Sequence, residues 1–236
     1  VWEEDGWLRV DNENGLVNRY ERRPDLPFFR AKPEFSSDNF ENAKLALRWN
    51  TIHPAEKPFY SLSARPGCLR LSLLPEVLNE ICTPAFIGRR QQHKTFRLKT
   101  AMDFVPANEH EEAGLALIQD DRFHYRFTVS LENGARTLTV SVCQKHEYTV
   151  LGKAILPAHG RIYLSVTASE EGYDFYYGMD DQELIPVFTG ADPAILSSLV
   201  NEGFTGAYLG MYASSNKTAS DNYADFDWFL YEGQDW

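Results

Sequence analysis

The stretch HYRFTVSLENGARTLTVSV, residues 124–142, decides the fold class. Apolar and polar residues alternate on both sides of Asn133-Gly134, and many of them are β-branched or aromatic, as is typical of strands with one buried face. Asn-Gly is a dipeptide that tolerates the positive φ angles of a two-residue turn. The stretch therefore predicts a β-hairpin whose two strands are joined at Asn133-Gly134.

The same alternation recurs along most of the chain after residue 35. It predicts further strands in LRLSL (69–73), TFRLKTAMDF (95–104), RIYLSVTAS (161–169), YDFYYGM (173–179) and YADFDWFLYE (223–232). In the second of these, one face carries Phe96, Leu98, Thr100, Met102 and Phe104. A period of two with one apolar face predicts sheets that are packed on one side.

Helical patterns are scarce, and ADPAILSSLVNE (191–202) is the one candidate, with Asp192 as cap and Pro193 in the first turn. About ten short strands and one brief helix predict an all-β protein, and we expect a jelly-roll β-sandwich. Residues 1–36 are punctuated by Gly and Pro without a sustained period, which predicts an extended linker before a sandwich at 37–236.

Composition excludes several classes of partner. The chain has 236 residues with a formal net charge of −11, which argues against nucleic acids and anionic membranes as partners and leaves neutral ligands such as sugars open. No apolar run reaches the ~20 residues of a membrane-spanning helix. The three cysteines have no paired spacing, which favours a reducing compartment, and with it a cytoplasmic location; the alternative is that they are simply buried thiols.

Catalytic residues are not evident. Acidic residues occur as adjacent pairs, such as Glu111-Glu112 and Asp120-Asp121, and neighbours on a strand point to opposite faces. Such pairs do not form the two facing carboxyls that glycoside hydrolysis uses. Neither a zinc-ligand spacing nor a nucleophile elbow is present, so we predict no catalytic residue and no cofactor.

A structural calcium ion is a less favoured possibility. Asp38, together with Asp225 or Asp227, supplies oxygen ligands if the first and last strands of the sandwich pair. The alternative is that Asp225 and Asp227 occupy the polar face of the last strand, opposite an apolar face of Ala224, Phe226, Trp228 and Leu230.

Two features are candidates for ligand binding. Arg89 and Arg90 lie in a polar run, GRRQQH (88–93), whose planar donor groups suit hydroxyl-rich or carboxylate ligands; the alternative is a polar edge strand or an arginine–carboxylate network. Phe204 lies in EGFTG (202–206), where flanking glycines can present an aromatic ring at a loop tip. Stacking on a sugar is one use of such a ring.

A family resemblance rests on five motifs in order. They are RPGCLRL (65–71), FIGRRQQH (86–93), EEAGLALIQDDRFHYRF (111–127), GFTGAYLGMYAS (203–214) and ADFDWFLYE (224–232). The chain resembles the C-terminal concanavalin A-like sandwich of glycoside hydrolase family 43 β-xylosidases over residues 35–232. DGWLRV (5–10) resembles the last strand of that family's catalytic propeller, and LLPEVLNEICT (73–83) departs from the family pattern as an expected surface insertion.

The resemblance implies an enzyme that cleaves β-1,4-xylosides from short xylo-oligosaccharides, and in many members arabinofuranosides. The catalytic carboxyls would lie in an N-terminal five-bladed propeller, so this chain alone would lack them. Phe204 matches the family aromatic at the mouth of the active-site pocket, and the family implies a homo-oligomer. Two alternatives stay open: a stand-alone lectin-like module for xylo-oligosaccharides, and a purely structural assembly domain.

Overall fold

A computed structural model describes residues 4–7, 16, 20, 25, 27, 37–55 and 57–234. The chain divides into two units, residues 1–34 and 35–236, and the fold below is that of the second unit. The predicted linker and the propeller-like DGWLRV segment lie largely outside the described residues, so the domain assignment for 1–36 stays a prediction.

Two antiparallel sheets form a sandwich, which confirms the predicted all-β class. The strands in the described ranges are β1 (Ser37–Asp38), β2 (Tyr60–Ser61), β3 (Leu69–Ser72), β4 (Ala85–Arg90), β5 (Phe96–Asp103), β6 (Glu112–Ile118), β7 (Phe123–Glu132), β8 (Ala135–Gln144), β9 (Glu147–Ile155), β10 (Ile162–Ser169), β11 (Gly172–Gly178), β12 (Ile185–Ala191), β13 (Tyr208–Ser214) and β14 (Tyr223–Gly233). One sheet has the order β12-β11-β10-β5-β14-β3-β2, with β1 also beside β14, and the other has β4-β13-β6-β7-β8-β9.

The hairpin of β7 and β8 forms as predicted. Glu132 pairs with Ala135, so the loop has two residues. Asn133 has a φ of 50° and Gly134 a φ of 78°, the left-handed values that a twisted hairpin turn requires. In the six-stranded sheet this hairpin lies between β6 and the edge strand β9.

The core lies between the sheets and is built from the alternating apolar faces. On β5 and just beyond it, Phe96, Leu98, Met102 and Phe104 are buried in this core, as the alternation predicts. Thr100 shares their face and is also fully buried; its hydroxyl donates to the carbonyl of Trp228 at 2.6 Å. A buried hydroxyl with a partner costs little, so the polar residue fits an otherwise apolar row.

The prediction for the last strand is wrong in its second half. A β-bulge between Phe226 and Trp228 shifts the register of β14 against β5. As a result Phe229 enters the core in place of Trp228. An extra residue in one strand exchanges the faces of all residues beyond it, and alternation alone does not reveal it.

The predicted helix is shorter than its pattern indicates. Pro193–Leu196 forms a 3-10 turn, and Ser198–Asn201 forms a single α-helical turn, α1. Asp192 caps the first as predicted, accepting from the backbone N–H of Ala194 at 2.8 Å. None of the helices in the described ranges has the length and apolarity that a bilayer crossing requires.

The outer face of the six-stranded sheet carries a second, smaller apolar cluster. Its buried members are Leu78, Phe86, Ala116, Ile118 and Tyr212. Leu78 belongs to the segment 73–83 that the sequence marked as an insertion, so part of this segment packs onto the sheet. The sheet is therefore covered on both faces here. Leu78, Phe86 and Ile118 of this outer layer also line a pocket.

Candidate functional site

The two adjacent arginines of β4 lie on opposite faces of the six-stranded sheet. Arg89 is 5% exposed and packs between the sheets, with its guanidinium 4.3 Å from the ring centroid of Tyr231 and hydrogen-bonded to Gln92. Arg90 is exposed on the outer face, 5.0 Å from the ring centroid of Tyr208. Strand alternation separates them, so only Arg90 faces solvent on this surface.

Arg90 lines a pocket of about 490 Å³ on this outer face. Apolar walls come from Ile52, Ile81, Ile118 and the ring of Tyr208. The polar part of the lining includes His53, Glu80, Gln119, Asp120, Asp121 and Thr205. These residues come from five separate parts of the sequence, which only the sandwich topology brings together.

Phe204 lies next to this pocket, because its neighbour Thr205 is part of the wall. Its side chain is fully exposed, at 105% of the reference area. The ring is presented from a short loop between α1 and β13, as the flanking glycines predicted. Full exposure of a phenylalanine is costly in water, which marks the ring as a candidate contact residue.

The loop that carries Phe204 is anchored on both sides of the ring. The side-chain N–H group of Gln119 donates to the carbonyl and, at 3.2 Å, to the hydroxyl of Thr205. The buried Asn201 accepts from the backbone N–H of Gly203 at 2.9 Å, and its own carbonyl accepts from Arg122 at 3.2 Å. The ring is exposed, but the backbone below it is held by several hydrogen bonds.

Gln119 has one further property that matters for binding. Its side chain is 8% exposed and lines the pocket, and its Oε1 has no hydrogen-bond partner among the described residues. Buried acceptors are nearly always satisfied in folded proteins. This oxygen is therefore available to a donor that enters the pocket.

The adjacent acids Glu111 and Glu112 serve separate structural roles. Glu112 is 2.7 Å from Arg126, and Tyr212 and Thr128 also donate to it. For Glu111, desolvation favours the neutral form, but four donors outweigh it and lower the pKa of this carboxyl. A carboxyl with a lowered pKa is a poor proton donor, so Glu111 is not suited to act as a general acid.

The aspartates considered for calcium are held by other groups. Asp225 accepts from Arg70 at 2.7 and 2.8 Å, and Asp227 accepts from Arg161. Asp38 does pair with β14, opposite Phe229, but its carboxylate accepts from the indole N–H of Trp49 at 2.7 Å. The described ranges contain no group of three or more His, Cys, Asp or Glu side chains placed to hold a metal ion.

The aspartates of β5 and β14, in the eight-stranded sheet, are paired with arginines. Asp103 accepts from both Arg161 and Arg65, and the hydrogen bond from Arg161 is the main cause of the lowered pKa of Asp103. The interpretation of Asp225 and Asp227 as polar-face residues is thus extended: they belong to an arginine–aspartate network. Calcium binding at Asp38 and Asp227 stays a prediction.

Comparison with known proteins decides the family. The family model described as "Beta xylosidase C-terminal Concanavalin A-like domain" matches residues 37–232. The chain belongs to this family. The resemblance drawn from the five motifs is therefore confirmed, and so is the concanavalin A-like form of the sandwich.

Relatives of this domain are much longer proteins. The chain is 35% identical to the non-reducing end alpha-L-arabinofuranosidase BoGH43B of Bacteroides ovatus over 97% of its length and 43% of the relative's. It is 30% identical to a xylosidase/arabinosidase of Butyrivibrio fibrisolvens over 98% of its length and 45% of the relative's. The chain thus spans less than half the length of these relatives.

Solved structures match the sandwich over nearly the whole chain. The structure of "Bacteroides ovatus Xyloglucan PUL GH43B" has a TM-score of 0.88 and 34% identity, covering 99% of this chain and 46% of that one. The structure of a xylan beta-1,4-xylosidase from Bacillus halodurans has a TM-score of 0.85 and 28% identity, and the match covers 98% of this chain and 45% of that one. This domain therefore has the backbone arrangement of these solved structures.

Proposed function

We propose that this domain is the C-terminal sandwich of a longer family 43 xylosidase or arabinofuranosidase, and that it forms one wall of the substrate pocket of a preceding five-bladed propeller. The lengths of the relatives support a second domain, since the chain covers 43% and 45% of two of them. Their names as arabinofuranosidase and xylosidase/arabinosidase support xylo-oligosaccharide and arabinoside substrates. This chain supplies no catalytic group in the proposal.

Phe204 is the observation that carries this proposal. A fully exposed ring on an anchored loop has the properties of a contact residue for another surface. At the mouth of a sugar pocket, such a ring excludes water and narrows the space around the terminal sugar unit. Arg90 lies on the neighbouring part of the surface, whereas Arg89, buried between the sheets, is left out of the proposed wall.

The test uses the longer enzyme that contains this domain. Phe204→Ala should raise KM or lower kcat about tenfold on nitrophenyl β-xyloside and α-arabinofuranoside, about 1.4 kcal/mol of transition-state stabilisation. Leu199→Ala is the matched control, because Leu199 is also an exposed apolar residue, at 94%, five positions away. Wild-type kinetics for Phe204→Ala would remove Phe204 from the pocket wall.

A second measurement addresses the catalytic role. The 236-residue chain, folded and assayed alone, should not hydrolyse either nitrophenyl glycoside. Turnover by this chain at a rate comparable to a full-length relative would contradict the proposal that the reacting carboxyls lie elsewhere.

Self-association is part of the same proposal. Edge strands β9 and β12 expose Val150, Ile155 and Ile185, at 52%, 77% and 54%. Exposed apolar residues on edge strands favour contact with another copy. Sedimentation of the longer enzyme as a strict monomer would contradict it.

The cytoplasmic location stays a prediction; Cys68, Cys82 and Cys143 are free thiols.

A further inference from the structure

We propose that the pocket lined by Arg90, Gln119 and Tyr208 is a binding site for a neutral, hydroxyl-rich ring such as one or two pentose units. The lining residues in the described ranges all belong to this domain, on the outer face of the six-stranded sheet. The choice of pentoses as ligands rests on the proposed function.

The size and the walls of the pocket fit a small sugar. Its volume of about 490 Å³ falls within the range of small-molecule sites, which runs from roughly 300 to 1,000 Å³. Ile52, Ile81 and Ile118 supply apolar wall against which the C–H face of a sugar ring can pack. Ile81 is 86% exposed, so it is at the rim, whereas Ile118 is 5% exposed and is at the base.

The unpartnered oxygen of Gln119 is the strongest indication of a ligand. Its side-chain nitrogen is already used by Thr205, which fixes the orientation of the amide and leaves Oε1 as the free acceptor. A hydroxyl of a bound sugar is a donor that can satisfy such a buried acceptor.

Arg90 supplies the complementary donors. The ring of Tyr208 lies 5.0 Å from its guanidinium and restricts the orientation of that group beside the pocket. The planar N–H groups can donate to two neighbouring hydroxyl oxygens of a sugar. Gln119 and Arg90 together therefore provide an acceptor and a fork of donors, the combination that a polyol requires.

Charge argues for a neutral ligand over an ion. The pocket contains three carboxylates, but Asp120 accepts from Arg122 and from the backbone N–H of Phe123, and Glu80 pairs with Lys217. Their remaining negative charge disfavours an anionic ligand. The described residues also form no acidic cluster suited to a metal ion, so a hydroxyl-rich neutral ring fits best.

The test is an NMR titration of the 236-residue chain with D-xylose, L-arabinose and xylotriose, with D-glucuronate as the anionic comparator. We expect saturable shifts at Gln119, Thr205 and Tyr208, with a Kd of about 1 mM or tighter for the best neutral sugar. Arg90→Met should weaken that binding at least about tenfold. Arg97→Met is the control, because Arg97 is exposed and ion-paired with Glu232 on the other sheet.

Three results would overturn the proposal. The first is that none of the neutral sugars gives saturable shifts. The second is that the wild type and Arg90→Met bind the best neutral sugar with equal affinity. The third is that glucuronate binds more tightly than the neutral sugars. Shifts centred on Phe204 with none at Gln119 would place the sugar elsewhere and also count against the pocket. The kinetic test of Phe204→Ala is independent, so failure of one proposal is separable from failure of the other.

Discussion

Gln119 and Thr205 are 86 residues apart in sequence and are joined by the Gln119 amide, which donates to the hydroxyl of Thr205 at 3.2 Å and to its carbonyl. This contact ties the end of β6 to the loop that presents Phe204. Because Gln119 also lines the pocket, one residue links the exposed ring and the candidate sugar site.

Gln119→Leu should loosen the Phe204 loop while the sandwich stays folded. Loss of the two bonds to Thr205 should cost about 1–2 kcal/mol locally and increase amide exchange at Gly206 about tenfold or more. Hydrogen exchange followed by NMR measures this directly. Gln182→Leu is the control, since Gln182 is an exposed loop residue; equal exchange in both variants would show that Gln119 does not anchor the loop.

The buried pair Glu112–Arg126 should contribute strongly to stability. Arg126→Met leaves the nearly buried Glu112 without its ion-pair partner and should cost about 3–5 kcal/mol in the free energy of unfolding. Glu80→Gln, which breaks an exposed pair with Lys217, should cost less than about 1 kcal/mol. Urea denaturation of both variants tests this, and similar midpoints would contradict it.

His124 should make the fold sensitive to acid. Desolvation is the main cause that lowers its pKa from 6.5 to about 3; Arg126 and His146 act in the same direction, and the backbone and charge of Asp120 oppose them. Its Nε2 is 2.7 Å from the hydroxyl of Tyr148. The folded imidazole therefore stays neutral at pH values where the unfolded one is protonated.

The sign of the effect follows from proton binding. Between pH 6.5 and about 3 the unfolded chain binds a proton that the folded chain does not, so the free energy of unfolding should fall as the pH falls. Chemical denaturation between pH 7 and pH 4 should show a shallower slope for His124→Gln than for the wild type. His159→Gln, at an exposed position, should keep the wild-type slope. An unchanged slope in His124→Gln would refute this account.

Glycine should be favoured at position 134 because of the backbone conformation there and not because of a lack of space for a side chain. Its φ is +78°, and a Cβ placed there meets no atom within 4 Å, so Gly134→Ala introduces strain without a clash. The expected cost is about 1–2 kcal/mol. Gly206→Ala, which is equally open but carries no positive φ, should change stability by less than about 0.5 kcal/mol. Equal melting temperatures for the two variants would exclude this explanation.

Local patterns predicted the parts of the fold that local physics determines. The turn at Asn133-Gly134 and the buried face of β5 both depend on neighbours in sequence, and both were predicted correctly. The bulge in β14 was missed, because the position where a strand gains an extra residue depends on the strand beside it. The helix is shorter than its pattern because Ser197 is extended between the two turns and Glu202 ends α1 in the left-handed conformation.

The candidate site was predictable only in part. Phe204 and Arg90 were selected from their local context, and both lie at or beside the pocket. Gln119 was not selected, because its significance depends on Thr205 and on an unpaired oxygen that no spacing reveals. Arg89 was grouped with Arg90, although strand alternation alone places neighbouring side chains on opposite faces.

The pairing of β1 with β14 has a consequence for engineering. Ser37 lies opposite Leu230, three residues before the end of β14, so the first and last strands of the sandwich meet side by side. A short connector between residues 233 and 37 would close the domain into a ring, and new termini could then be opened at the exposed Asn133-Gly134 turn. Such a circular permutant would let another protein be fused at the Asn133-Gly134 turn without separating β1 from β14.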